Sequence, residues 1–228
     1  MTEQLEILNT ETHKALRMHG FVGQHPSFVT IVLGEFAAAA AVCPIFFAKD
    51  PETGAFFVGA VFGFKPGETL VEGAGEVDGL FRPLDLQRQG FLFTEEEIAV
   101  DVAHPRFAGQ ATIALFDEDG EPSGALRRIQ WALGQLKGGL DATTDFINAL
   151  LKLKLIESID ISLKFDDGET VDLTGLYTIS RDRLAELEGA DVVELFQSGY
   201  LQAAHCILFS LNQIGVLARR RNRRLAGA

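Results

Sequence analysis

A chain of 228 residues, 47% hydrophobic and 23% charged, is long and apolar enough to bury a core without disulfide or metal staples, which excludes a disordered protein. Its formal net charge of −12 repels phosphate backbones and argues against nucleic acid as the main partner. Eighteen Phe against two Tyr and one Trp bring apolar area without a hydrogen-bonding group, which points to buried packing rather than a face for stacking sugars or bases.

In chain order, residues 9–18 read as a short helix capped by Asn9 or Thr10, and the β-branched run Phe28–Leu33 as a buried strand. The alanine run Phe36–Cys43 favours helix and ends at Pro44, where a second strand begins. Thr53-Gly54 turns that strand into another over Ala55–Phe64, which gives a hairpin. The glycine- and charge-rich stretch 66–90 reads as loops around one short helix near Arg82–Gln89. Strands are expected at 91–93, 97–102 and Ala111–Phe116.

After the turn at Asp117–Pro122 the chain becomes mostly helical. A helix is expected from Ser123 to Leu136, broken by Lys137-Gly138-Gly139, and a second from an Asp141 or Thr143 cap to Leu155. Asp166-Asp167-Gly168 joins strands Ile161–Phe165 and Thr170–Ile179 into a hairpin near 159–179. Helices follow over Ser180–Glu188, Asp191–Gln197 and Tyr200–Arg219, with Gly199 between the last two. The fold class is therefore α+β, with mixed or antiparallel strands in the N-terminal half and helices concentrated after 123. A single domain over 1–218 is expected, followed by a basic tail at 219–228.

The chemistry-bearing residues form no complete constellation. His13, His19, His25, His104 and His205 show no HxH or HExxH spacing, so no metal is expected. Gly59, Gly63, Gly67, Gly73, Gly75 and Gly79 assemble neither nucleotide-binding fingerprint, and no GxSxG elbow is present, so no cofactor is expected. Cys43 and Cys206 lie far apart outside any CxxC, as two reduced thiols of a cytoplasmic protein would. The first residues lack a basic n-region and an apolar h-region, so export is not expected. Tyr200–Leu217 is near the minimum length for a membrane span, but Gln202, His205, Ser210, Asn212 and Gln213 suit a core-facing helix better, so no transmembrane segment is expected.

Glu35 sits between an apolar strand and an alanine run, where a carboxylate needs a partner such as Arg82 or Arg88, or a ligand. With Glu68 these residues are the ligand-binding candidates, since two guanidiniums near glycine-rich loops could clamp an anion. Arg219, Arg220, Arg221, Arg223 and Arg224 are candidates for docking an acidic partner or an anionic surface, against the simpler reading of a solvated helix end.

Several segments in order resemble the SapC family of bacterial proteins. Leu8-Asn9 with His13 and Leu16 resembles its LN…H..L opening, and Glu35-Phe36 ahead of Cys43-Pro44-Ile45-Phe46-Phe47 its EF…yPIvF segment. Gly67-Glu68-Thr69-Leu70-Val71 stands where the family has GENLF, and Arg82-Pro83 through Arg88 and Phe91 resembles its YxPxxxRxxPF stretch. Leu115-Phe116 with its acidic turn, Thr143-Thr144 with Phe146 and Leu150, Gly175-Leu176-Tyr177 and the segment Gly199–Leu217 complete a resemblance over residues 7–219. Thr69, Val71 and Gly90 depart from the family's Asn, Phe and Pro.

The family is named for a surface-layer gene locus, and relatives tend to sit beside TonB-dependent receptors, halogenase-like flavoproteins and cupin-like proteins. The resemblance therefore implies an accessory role in making, modifying or handling a surface or peptide product. With no nucleophile, metal or cofactor constellation beside it, the expectation is a non-catalytic cytoplasmic accessory or binding protein with a protein or peptide partner, and a homo-oligomer is left open. Two alternatives stand beside it: an enzyme that modifies a peptide or small anionic molecule through dispersed residues, and a structural surface-layer subunit.

Overall fold

The computed structural model describes residues 4–20, 26–71, 81–94 and 97–227. His25, Gly73, Gly75, Gly79, Glu95 and Glu96 lie outside the described residues. In chain order the elements are β1 (Leu5–Ile7), α1 (Thr10–His13), β2 (Arg17–Met18), β3 (Phe28–Thr30), α2 (Phe36–Ala40), β4 (Ile45–Lys49), β5 (Phe56–Val61), α3 (Leu84–Gln87), β6 (Phe91–Phe93), β7 (Ile98–Asp101) and β8 (Ile113–Ala114). They continue with α4 (Gly124–Lys152), β9 (Ile156–Lys164), β10 (Thr170–Ile179), α5 (Arg181–Ala185), α6 (Ala190–Gln197), α7 (Tyr200–Ser210) and α8 (Asn212–Gly227). Antiparallel sheets in the N-terminal half and helices toward the C-terminus make the protein α+β.

The described residues fall into two compact units, one from 4–20, 82–94 and 97–138, the other from 26–71, 81 and 139–227. In the first unit β1, β7 and β6 form an antiparallel sheet, while β2 pairs with β8. Leu126, Ile129 and Leu133 repeat at helical spacing along α4 and close over Met18, Phe91, Val100, Leu115 and Phe116. The hydroxyl of Ser123 caps the helix, accepting from the Leu126 N–H at 3.2 Å and donating to Ala114 O at 2.7 Å. The α1 helix is shorter than the expected 9–18, because the chain leaves it to pair Arg17 and Met18 with β8.

In the second unit an antiparallel sheet runs β3-β5-β4-β10-β9. Both expected hairpins are present. Asp50 Oδ1 accepts from the Glu52 and Thr53 N–H groups and from the Thr53 hydroxyl in the β4–β5 turn, and Gly168 takes φ +86° in the β9–β10 turn. Many phenylalanines pack in the interior, Phe146 meeting Phe36, Phe47 and Tyr200 at ring-centre distances of 5.7, 6.2 and 5.4 Å, while Phe93, Phe196 and Phe209 are exposed. Helix α7 packs its buried Ala203, Ala204, Ile207 and Leu208 face against α2 and the sheet, and the hydroxyl of buried Ser210 accepts the Ile45 N–H at 2.9 Å. The span Tyr200–Gly227 is long and apolar enough to cross a membrane by length and composition, and 33% of its most apolar window is buried.

One expected break does not occur. Helix α4 continues through Lys137-Gly138-Gly139 to Lys152. A Cβ on Gly139 would stand 2.6 Å from Cγ2 of Val32, so this glycine admits a neighbouring side chain rather than ending the helix. Thr143, expected as a cap, lies inside α4. Its hydroxyl donates to Gly139 O at 2.6 Å and accepts the Leu33 N–H at 2.8 Å, thereby serving the 3₁₀ turn Leu33–Glu35.

Candidate functional site

Arg106 lies in a 3₁₀ turn, Pro105–Phe107, that proline starts and His104 caps by accepting the Arg106 N–H on Nδ1 at 3.1 Å. Its side chain is 4% exposed as a residue, yet it is held by carbonyls rather than by an acid. Nε donates to His19 O at 3.2 Å, and Nη1 donates to Gln87 O at 2.9 Å and to Gln89 O at 2.8 Å. Burial first, and then the nearby charge of Arg82, pull its pKa down to about 10. At neutral pH it remains a cation.

Arg82 precedes α3, whose Gln87 reaches back to donate to Arg82 O at 2.8 Å. Its Nε is buried without a hydrogen-bond partner. Burial and then the charge of Arg128 lower its pKa. Arg128 stands exposed on α4, one turn from Ala125. These three arginines and Gln87 share a cavity of about 170 Å³ with Gly20 and the apolar side chains of Met18, Ile113, Ala125 and Ile129. No carboxylate is among the described residues that line it.

Chemically the described lining is cationic and apolar. A buried donor left unpaired costs about 1–3 kcal/mol, and neighbouring guanidiniums repel. An oxyanion in the cavity offsets the repulsion through charge-assisted bonds to planar donor forks.

The other expected site residues are placed differently. Arg88 bonds Asp85 through Nε at 2.9 Å and Nη2 at 2.6 Å, and donates from Nη1 to Phe91 O at 3.2 Å, which closes the chain after α3. Its neighbours form a separate cavity with Asp101 and His104. Glu35, in the second unit, is 7% exposed and accepts the Val32 N–H at 3.0 Å. Burial, and then the Glu35 carboxylate, push the Cys43 thiol up to about 12, so it is no nucleophile at neutral pH; burial also raises Cys206. Among the described residues no group of three or more His, Cys, Asp or Glu could hold a metal ion.

The arginine run is not a separate tail: α8 extends through it, and Arg221 is 5% exposed. Arg221 Nη2 bonds Glu169 Oε2 at 2.6 Å, Nε lies 3.5 Å from Glu68 Oε1, and the guanidinium sits 4.1 Å over the Phe165 ring. Arg220 donates to Leu70 O at 3.1 Å and Arg224 to Thr69 O; Arg219, Arg223 and Arg224 are exposed.

A family model described as SapC matches residues 8–217 of this chain. The chain belongs to the SapC family. No curated protein and no solved structure matches it. In this SapC-family chain the segment Gly67–Val71, which resembles GENLF, is a docking turn for the C-terminal helix. Glu68 folds back to accept the Phe64 N–H at 2.8 Å while facing Arg221, and the Thr69 and Leu70 carbonyls accept from Arg224 and Arg220. Since the two carbonyls belong to the backbone, Thr69 in place of the family's Asn leaves this docking intact. The LN…H..L opening is likewise structural: Asn9 Oδ1 caps α1 by accepting the Thr12 N–H at 2.9 Å, and His13 is buried beside the Asn9 backbone at 3.2 Å.

Sequence reasoning found Arg82 but missed Arg106 and Arg128. The one signal for Arg106 is a lone arginine between Pro105 and Phe107, a context in which a long cation packs inward. Arg128 carries no signal, since an arginine beside Arg127 on a helix is ordinarily solvated.

Proposed function

We propose that this SapC-family protein is a non-catalytic binding protein that holds a small anionic ligand in the cavity of its first unit. The observation that carries this reading is the meeting of three arginines in one cavity with no lining acid among the described residues. The cavity offers cations and apolar surface, and its described lining includes no carboxylate or thiol to act as base or nucleophile. The setting we propose is that of a cytoplasmic accessory protein beside surface-layer or TonB-dependent outer-membrane systems. Family membership supports that setting through the company its relatives keep.

Calorimetric titration of the full chain with acetate, phosphate and short carboxylates tests the reading. At least one anion should bind with one-to-one stoichiometry, and Arg82→Gln should weaken it about tenfold, the worth of one charge-assisted bond. Heats no larger than those of chloride for every anion would refute it.

A further inference from the structure

Resting on the anion-binding reading, we infer that the ligand is an oxyanion carried on a short apolar stem and lacking an ammonium group. The cavity sets Arg82, Arg106 and Arg128 against a lining that, among the described residues, contains no carboxylate. A ligand ammonium would add a fourth cation to three and would find no acid among the described lining residues to receive its donors. Gln87, whose amide nitrogen donates to Arg82 O, offers an ammonium only a neutral amide oxygen and so brings no countercharge.

The rest of the lining says what the anion is attached to. Met18, Ile113, Ala125 and Ile129 present hydrocarbon, which a bare phosphate or sulfate would leave facing its own hydration shell. A stem of a few carbons covers it. The size agrees: a cavity of about 150 Å³ takes one benzene ring, so the roughly 170 Å³ here fits a group of similar size. A branched short-chain carboxylate meets every condition, and so does the C-terminal carboxylate of a peptide ending in an aliphatic residue. They share one chemistry and differ only in source.

Four compounds at constant ionic strength separate the possibilities in titrations of the full chain: 4-methylpentanoate, N-acetyl-glycyl-glycyl-leucine, free leucine and inorganic phosphate. The expected result is that 4-methylpentanoate or the acetylated peptide binds at least tenfold more tightly than leucine, which shares the skeleton but adds an ammonium, and than phosphate, which lacks the stem. Tight peptide binding names a peptide terminus as the source, and binding of the free acid alone names a small metabolite; either supports the inference. A leucine affinity within tenfold overturns the exclusion of ammonium, and a phosphate affinity within tenfold overturns the stem, while both leave the anion reading standing. Silence from all four overturns both. Arg128→Gln, at an exposed position of α4, should weaken 4-methylpentanoate about tenfold at unchanged melting temperature; unchanged affinity in this variant and in Arg82→Gln would remove the ligand from this cavity.

Discussion

Replacing Arg221 with alanine is expected to destabilise the second unit by about 3 kcal/mol, read as a lowered urea midpoint at unchanged slope. The side chain joins three partners at once: Glu169, Glu68 and the face of Phe165. Its loss leaves the Glu68 carboxylate, 20% exposed, without its cation. The figure lies at the low end for breaking a buried pair because Glu169 keeps its ion pair with Lys65 and Glu68 keeps the Phe64 N–H. Pairing Arg221→Met with Glu68→Gln should recover about half of the loss, since methionine refills the space over Phe165 and the amide needs no countercharge. Trypsin should also cleave α8 at Arg219 and Arg223 faster in Arg221→Ala than in the wild type. A midpoint within error of the wild type would mean that the C-terminal helix is not fastened here.

Two adjacent glycines in α4 should respond with opposite signs. Gly138→Ala places a methyl group where nothing lies within 4 Å, so it gains helix propensity and should stabilise by about 0.5–1 kcal/mol. Gly139→Ala drives its Cβ to 2.6 Å from Val32 Cγ2 and 2.8 Å from Val32 Cβ, atoms of a stiff β-branched side chain that cannot swing aside. Overpacking should cost about 1–3 kcal/mol, well beyond the propensity gain. Urea midpoints moving in the same direction for both would contradict the close approach of Val32.

These two sites show where local sequence reading succeeds and where it stops. Turns announce themselves because one residue needs a conformation that others resist: Thr53-Gly54 and Asp166-Asp167-Gly168 were legible as hairpins, and Gly54 and Gly168 have φ of +70° and +86°. Glycine in a helix is ambiguous, since breaking and close packing leave the same letters. Lys137-Gly138-Gly139 therefore read as a stop, although only Val32, more than a hundred residues away in sequence, explains the second glycine. The arginine run read as a tail for a similar reason. Nothing local reveals that Glu68 and Glu169 converge on Arg221.

The candidate site was half legible. Arg82 stood out as a guanidinium near glycine-rich loops, but its expected companions Glu35 and Glu68 are engaged elsewhere, by the Val32 N–H and by Arg221. What makes Arg82 a binding residue is a three-dimensional coincidence. Arg106 arrives from one turn and Arg128 from a helix, and neither brings an acid.

The most direct measurement is a ¹H–¹⁵N spectrum of the arginine side chains during titration with 4-methylpentanoate, with the Nε–H signals assigned by single substitutions. The signal of Arg82 should move furthest, in proportion to occupancy, while that of exposed Arg219 stays in place. A stationary Arg82 signal at concentrations that shift the surface arginines would show that the cavity receives no anion.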